Sequence, residues 1–143
     1  MKGHGAVFVA GFLAFSAVGY AEHSYIGAEK CKMCHKLQYD SWLATKHAKA
    51  TETAKASTKW KFDPSCLTCH ATNKSEALAG VQCEACHGPG SDYKTMSIMK
   101  DREKAIANGL VIPTQETCNT CHDGKDHHKQ VKFDRKAVHA HKK

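Results

Sequence analysis

Cys31-Lys32-Met33-Cys34-His35 is a Cys-x-x-Cys-His motif, and the chain contains four such motifs. Together they use all eight cysteines: Cys31, Cys34 and His35; Cys66, Cys69 and His70; Cys83, Cys86 and His87; Cys118, Cys121 and His122. This pattern is the attachment site of c-type haem, in which two thiols bond to one porphyrin and the adjacent imidazole binds its iron. The sequence therefore predicts four covalently bound c-type haems, with these four histidines as proximal iron ligands.

Two other uses of paired cysteines explain the motifs less well. Zinc sites also contain Cys-x-x-Cys pairs, but their histidines usually stand further along the chain. A disulfide framework gives no reason for a histidine after every second cysteine. The repeated histidine favours haem over both alternatives.

The first residues have the pattern of a secretory signal. Lys2 precedes an apolar run from about residue 6 to residue 18, and Gly19 and Ala21 are small residues at the expected cleavage site. The run is shorter than the roughly 20 residues that span a bilayer. We expect residues 1–21 to be a cleaved signal peptide and residues 22–143 to form a single tetrahaem domain with no transmembrane segment. Its expected location is the periplasm, or the cell exterior.

The chain carries 21 basic and 14 acidic side chains, which gives a formal net charge of +7. Such a charge can indicate a nucleic-acid partner, but the chain lacks a basic stripe interleaved with aromatic residues. Haem propionates provide a simpler partner for the lysines. We therefore predict no nucleic-acid binding and expect the partners to be other redox proteins, either cytochromes or oxidoreductases.

The predicted fold is mainly α with extensive irregular loops, a multihaem cytochrome c fold organised around four haems. Roughly 30 residues per haem are too few for a conventional core, so the porphyrin faces are expected to complete it. The sequence predicts a helix over about residues 36–56, a turn at Gly88-Pro89-Gly90 and no sheet. Further helices are predicted to start at Asp63-Pro64 and Pro113-Thr114, to run from Asp101 to Asn108 before Gly109, and to follow Asp134 to the carboxyl end.

The ligand opposite each proximal histidine separates a carrier from a catalyst, because an open iron position admits small molecules. Six histidines lie outside the motifs and the predicted signal: His23, His47, His127, His128, His139 and His141. We expect His47 to be a ligand, together with one of His139 and His141, which point in different directions on the predicted last helix. His127 and His128 lie in a polar stretch and are interpreted as surface residues.

Three segments resemble the tetrahaem cytochrome c-554 family. They are Gly27 to Ala50, with the first motif, Ser41-Trp42, Thr45 and His47; Gly80 to Gly90, with the third motif; and Lys132-Phe133-Asp134 followed by His139 and His141. Members of that family are soluble electron carriers with closely packed haem pairs, best known for accepting electrons from hydroxylamine oxidoreductase. The resemblance implies that His47 is the distal ligand at the fourth motif and His139 the distal ligand at the third. It also allows a five-coordinate haem at the second motif.

The chain departs from the family at the first haem. In the family its distal histidine follows the Gly-Pro-Gly turn, near Ser97 here, but this chain has no histidine between the third and fourth motifs. Met96 and Met99 flank the position, so a methionine thioether is one candidate ligand. His23, from this chain or a neighbouring one, is another. The methionines would then only pack against porphyrin.

These predictions support three functions. The first is a periplasmic protein that carries electrons through four closely packed haems between respiratory redox partners. The second is an enzyme that reduces a small nitrogen oxide or hydroxylamine at a five-coordinate haem held by Cys66, Cys69 and His70. The third is a subunit of an extracellular cytochrome filament in which His23 ligates the next subunit's iron. We expect the carrier and predict no catalytic residues, because the sequence contains no triad, phosphate-binding loop or paired-carboxylate site.

Overall fold

The computed structural model describes residues 23–140, so the expected signal peptide and His141 lie outside the described residues. The described chain contains eight short α-helices: α1 (Ala28–Lys32), α2 (Lys36–Leu43), α3 (Ala50–Lys55), α4 (Leu67–His70), α5 (Cys83–His87), α6 (Met96–Met99), α7 (Arg102–Ala107) and α8 (Gln115–Asn119). Three 3-10 helices cover Pro64–Cys66, Thr72–Lys74 and Glu76–Leu78. Within residues 23–140 there is no strand, only isolated bridges from Ala71 to Ala79 and Gly80. The mainly helical fold class with irregular loops is confirmed.

Several predicted helix starts are confirmed by their capping bonds. The Asp63 carboxylate accepts a hydrogen bond from the Ser65 amide before the first 3-10 helix. Asp101 accepts one from the Lys104 amide at the start of α7, and Gly109 follows that helix with a φ of 96°. Thr114 forms a capping box before α8. Each of these signals is local, since the side chain and the amide it caps are close in sequence.

The helix predicted over residues 36–56 is interrupted between α2 and α3. The Thr45 hydroxyl donates a hydrogen bond of 2.7 Å to the Trp42 carbonyl and accepts one from the Ala48 amide. A threonine side chain that bonds to nearby backbone in this way competes with the helical pattern. His47 therefore lies on a turn rather than inside a helix.

The helix predicted after Asp134 is wrong for the residues that the structure describes. The Asp134 carboxylate accepts a hydrogen bond from the Lys136 amide at 2.8 Å, but this bond closes only a turn. Residues 123–140, which we call the carboxyl-terminal tail, contain no helix. The tail is held instead by tertiary contacts: Val138 packs on the core, and the Ala140 amide donates to the Ser41 hydroxyl at 2.7 Å.

The apolar core is small. Among residues 23–140 it comprises eight buried apolar residues, of which four are alanine: Ala28, Tyr39, Trp42, Ala50, Leu67, Ala71, Tyr93 and Ala105. Its central cluster joins α1 to α2 through Ala28, Tyr39 and Trp42. The Trp42 indole nitrogen donates to the Val81 carbonyl at 2.8 Å, which ties α2 to the segment before the third motif. No helix in the described part of the chain is long and apolar enough to cross a membrane.

A buried carboxylate joins the first and third motif regions. Glu84, inside the third motif, is only 2% exposed. Its two oxygens accept hydrogen bonds from the amides of Ile26 at 2.9 Å, Gly27 at 2.7 Å and Gly90 at 2.6 Å. Glutamate is rarely buried this fully in a folded protein unless it is paired or hydrogen-bonded. The carboxylate is stable in this position because backbone donors replace its water.

Candidate haem-binding site

Helical turns bring the residues of each motif together. In the first and fourth motifs, the amides of His35 and His122 donate to the carbonyls of Cys31 and Cys118, at 2.9 Å and 2.8 Å. The third motif forms the whole of α5. The two cysteines of a motif therefore lie about one helical turn apart, on the same side of the backbone. None of the eight cysteines is in a disulfide.

Thiols of different motifs also lie close together. A hydrogen bond with Cys83, in addition to burial, raises the pKa of Cys31, so the first and third motifs are in contact. The Cys69 thiol lies 4.0 Å from the carbonyl oxygen of Thr120 in the fourth motif. In turn, the Cys121 thiol lies 4.0 Å from the carbonyl oxygen of Thr68 in the second motif. Burial and the neighbouring Cys121 raise the pKa of Cys69 to about 12. The motifs are thus paired first with third and second with fourth.

The third and fourth motifs form a further link between these pairs. Burial raises the pKa of Cys86 to about 11, and the nearby thiols of Cys118 and Cys121 contribute to the shift. The thiols therefore define a continuous order of motifs: first, third, fourth, second.

Three of the motif histidines are oriented by backbone carbonyls. The Nδ1 atoms of His70, His87 and His122 lie 3.1, 3.1 and 2.9 Å from the carbonyl oxygens of Ala50, Val111 and Lys129. A carbonyl oxygen can only accept, so each Nδ1 carries a proton, and in the neutral ring Nε2 is the atom that can bind a metal. Such a hydrogen bond is typical of metal-bound histidine, because it fixes both the tautomer and the ring orientation.

Each of these three motif histidines lies close to the ring of a second histidine, and the separation is the same in all three pairs. The ring centroids of His47 and His122, of His139 and His87, and of His127 and His70 are each 6.1 Å apart. A metal–imidazole bond of roughly 2 Å places the centres of two rings on opposite sides of one metal ion roughly 6 Å apart. The separation therefore suits two ligands of a single iron.

The surroundings of His47 and His70 favour neutral imidazole. Burial lowers the pKa of His47, and the nearby His122 lowers it further. Burial also lowers the pKa of His70, an effect opposed by its bond to the Ala50 carbonyl and reinforced by His127. A neutral imidazole is the form that binds a metal, because protonation occupies the donor lone pair.

His139 is positioned by the carboxyl-terminal tail. Its Nδ1 lies 3.0 Å from the Ala140 carbonyl oxygen, so it has the same tautomer as the motif histidines. The Ser41–Ala140 bond and the packing of Val138 hold this part of the tail against α2. Ser41 thus has a role in placing His139, although it lies about a hundred residues away in the sequence.

The candidate distal ligands of the first haem lie in two places. His23 pairs with Asp92, with 2.5 Å between Nδ1 and Oδ2. Met96 and Met99 are the first and last residues of α6, and Met96 is 60% exposed. His35 belongs to none of the three imidazole pairs.

His127 is the site residue that the sequence interpretation assigned to the surface. It lies on an exposed turn of the carboxyl-terminal tail, in the run Asp123-Gly-Lys-Asp-His-His. The sequence feature that could have indicated a ligand here is the pair of adjacent histidines shortly after the fourth motif. Their polar neighbours favoured a surface position instead, because composition alone does not show that the turn folds back toward His70.

Comparisons with known proteins find similarity to cytochrome c-554. Residues 30–88 match the family model described as cytochrome c554 and c-prime. Cytochrome c-554 of Nitrosomonas europaea is 32% identical over 138 residues, which cover 71% of this chain and 59% of the relative. The solved structure of the reduced state of cytochrome c554 from the same organism has 27% identity and a TM-score of 0.58, and the match covers 76% of this chain and 70% of that one.

The helical fold, the repeated motifs and these matches define a multihaem c-type cytochrome, a class in which cysteines bind haem c covalently and histidine coordinates its iron. The residues fit that group, since one imidazole of each pair directly follows a Cys-x-x-Cys pair in the sequence. The chain is similar to the cytochrome c554 family, most directly over residues 30–88. It spans 59% of the length of the curated relative that it matches.

Proposed function

We propose that this protein is a periplasmic electron carrier that holds four haems, one at each Cys-x-x-Cys-His motif, and passes electrons between respiratory redox partners. The observation that carries the proposal is the repeated 6.1 Å imidazole pair, because two ligands close an iron to other chemistry. Bound haem supplies a one-electron couple at its iron. Cleavage after residue 21 and export would provide the compartment in which such haems are attached.

In this proposal, cysteine pairs anchor each haem and the motif histidines are the proximal ligands. His47 is the distal ligand paired with His122, and His139 is the distal ligand paired with His87. Both assignments were implied by the family resemblance, and the ring distances support them. The first motif keeps three candidates, which are His23, Met96 and Met99.

The order of the thiol contacts supports a single path for electrons. Cofactors anchored at neighbouring thiols are held near one another, and the contacts run from the first motif to the third, fourth and second. Residues at the ends of this order, in the first and second motifs, are therefore where partner proteins are expected to dock.

Mass spectrometry and ligand substitution test the proposal on the secreted full-length protein. We expect a mass that includes four covalent haems, and a new high-spin ferric signal in each of His47→Ala and His139→Ala. His141→Ala is the matched control for His139→Ala, since the two histidines are near neighbours in the sequence, and it should leave the spectrum unchanged. Fewer than four haems, or a high-spin signal from the control alone, would refute the assignment.

Three further substitutions identify the distal ligand of the first haem. His23→Ala, Met96→Ala and Met99→Ala are compared by near-infrared absorption, which contains a charge-transfer band specific to methionine-ligated ferric haem. Loss of that band in one methionine variant identifies a thioether ligand. If the parent protein lacks this band, neither methionine is a ligand. The spin state of the haem in His23→Ala then tests whether His23 is the ligand.

A further inference from the structure

His127 has the same relation to the second motif that His47 and His139 have to the fourth and third. Its ring centroid lies 6.1 Å from that of His70, and the two ring planes are 19° apart. The proximal partner is already oriented, because its Nδ1 donates to the Ala50 carbonyl. The second motif therefore has a complete pair of imidazoles on two different segments.

Two contacts hold the turn that carries His127. The Trp60 ring, which precedes the second motif, lies 5.1 Å from the His127 ring at an angle of 31°. The Lys129 carbonyl accepts the Nδ1 proton of His122, which ties the same turn to the fourth motif. The turn is thus anchored on both motifs that the Cys69 and Cys121 contacts bring together.

His128 is the neighbouring histidine that could face His70 instead of His127, but it is paired with Asp123. Its ring lies 4.4 Å from that of His127, in an edge-on arrangement. Its Nδ1 lies 3.4 Å from an Asp123 carboxylate oxygen, which holds it on the side of that acid. The two adjacent histidines are therefore distinguished by their contacts, with His127 beside His70 and His128 beside Asp123.

We propose that His127 is the distal ligand of the second haem, so that its iron is six-coordinate and closed. This inference rests on the proposed function, which places a haem at Cys66 and Cys69. It departs from the five-coordinate site that the family resemblance allows at this motif. It also assigns the second haem to electron transfer, because a closed iron does not bind nitrogen oxides or hydroxylamine without losing a ligand.

Carbon monoxide binding to the reduced full-length holoprotein tests this assignment. We expect His127→Ala to bind one more carbon monoxide per chain than the parent protein and to gain one high-spin ferric haem. His128→Ala is the matched control and should equal the parent protein in both measurements. Added imidazole should reverse the spin change in His127→Ala, since it can occupy the position that the substitution opens.

His127→Met provides a second variant that keeps a ligand in place. We expect it to remain low-spin and to gain the near-infrared band of a methionine-ligated haem. The ligand assignment is overturned if His127→Ala matches the parent protein, or if the extra carbon monoxide appears in His128→Ala instead. Covalent haem is counted by mass in every variant, so a missing haem at the second motif would refute the proposed function separately.

Discussion

Replacing Glu84 with glutamine should destabilise the protein by about 2–4 kcal/mol. The carboxylate accepts hydrogen bonds from three backbone amides, those of Ile26, Gly27 and Gly90. A hydrogen bond to a charged group contributes about 1.5–3 kcal/mol, and a neutral one about half as much. The glutamine keeps one acceptor oxygen and turns an NH2 group toward a donor, so one bond is lost and the other two weaken.

Part of this loss is offset, because a neutral amide is less costly to bury than a carboxylate. Urea unfolding of the oxidised holoprotein, followed by far-ultraviolet circular dichroism, measures the difference. Glu76→Gln is the matched control: it removes the same charge from an exposed side chain paired with Lys55 at 3.0 Å. An exposed ion pair contributes at most about 1 kcal/mol. A Glu84→Gln effect no larger than that of the control would refute the reasoning.

Four further variants test the small core and its dependence on haem. Trp42→Phe removes the bond to the Val81 carbonyl and should lower the free energy of unfolding by about 1–3 kcal/mol in the same urea assay, because that carbonyl loses its buried donor. Gly80→Ala places a Cβ 2.5 Å from the Ala48 carbonyl oxygen at a φ of 79°, so we expect a loss of about 2 kcal/mol or more. Gly27→Ala has a similar φ but a nearest atom at 3.6 Å, so it should lose less; equal losses would contradict the steric argument. Finally, replacing all eight cysteines with serine should abolish the cooperative unfolding transition, and a cooperative transition without haem would show that the polypeptide core suffices.

The sequence was sufficient wherever the signal is local. Each motif places its cysteines and histidine within five residues, and the caps at Asp63, Asp101 and Thr114 act on amides two or three residues away. Such features depend little on the rest of the chain. The mainly helical fold followed from the same local patterns.

Features that depend on long-range contacts were not predictable from the residues alone. Glu84 is buried because the Ile26 and Gly27 amides, nearly 60 positions away, turn toward it. The polar run around His127 reads as surface, since its relation to His70 is set by how the chain turns back. The helix expected after Asp134 is replaced by a tail whose residues are held by α2.

The tail has a consequence for proteolysis. It contains no helix, and it carries His127 and His139, which face two different motifs. Under the proposed ligand scheme, a cut soon after His122 would remove the second ligand from two irons while leaving in place every helix found within residues 23–140. Such damage would be nearly invisible to circular dichroism but plain in the colour of the solution, so absorbance is the better check that a preparation is intact.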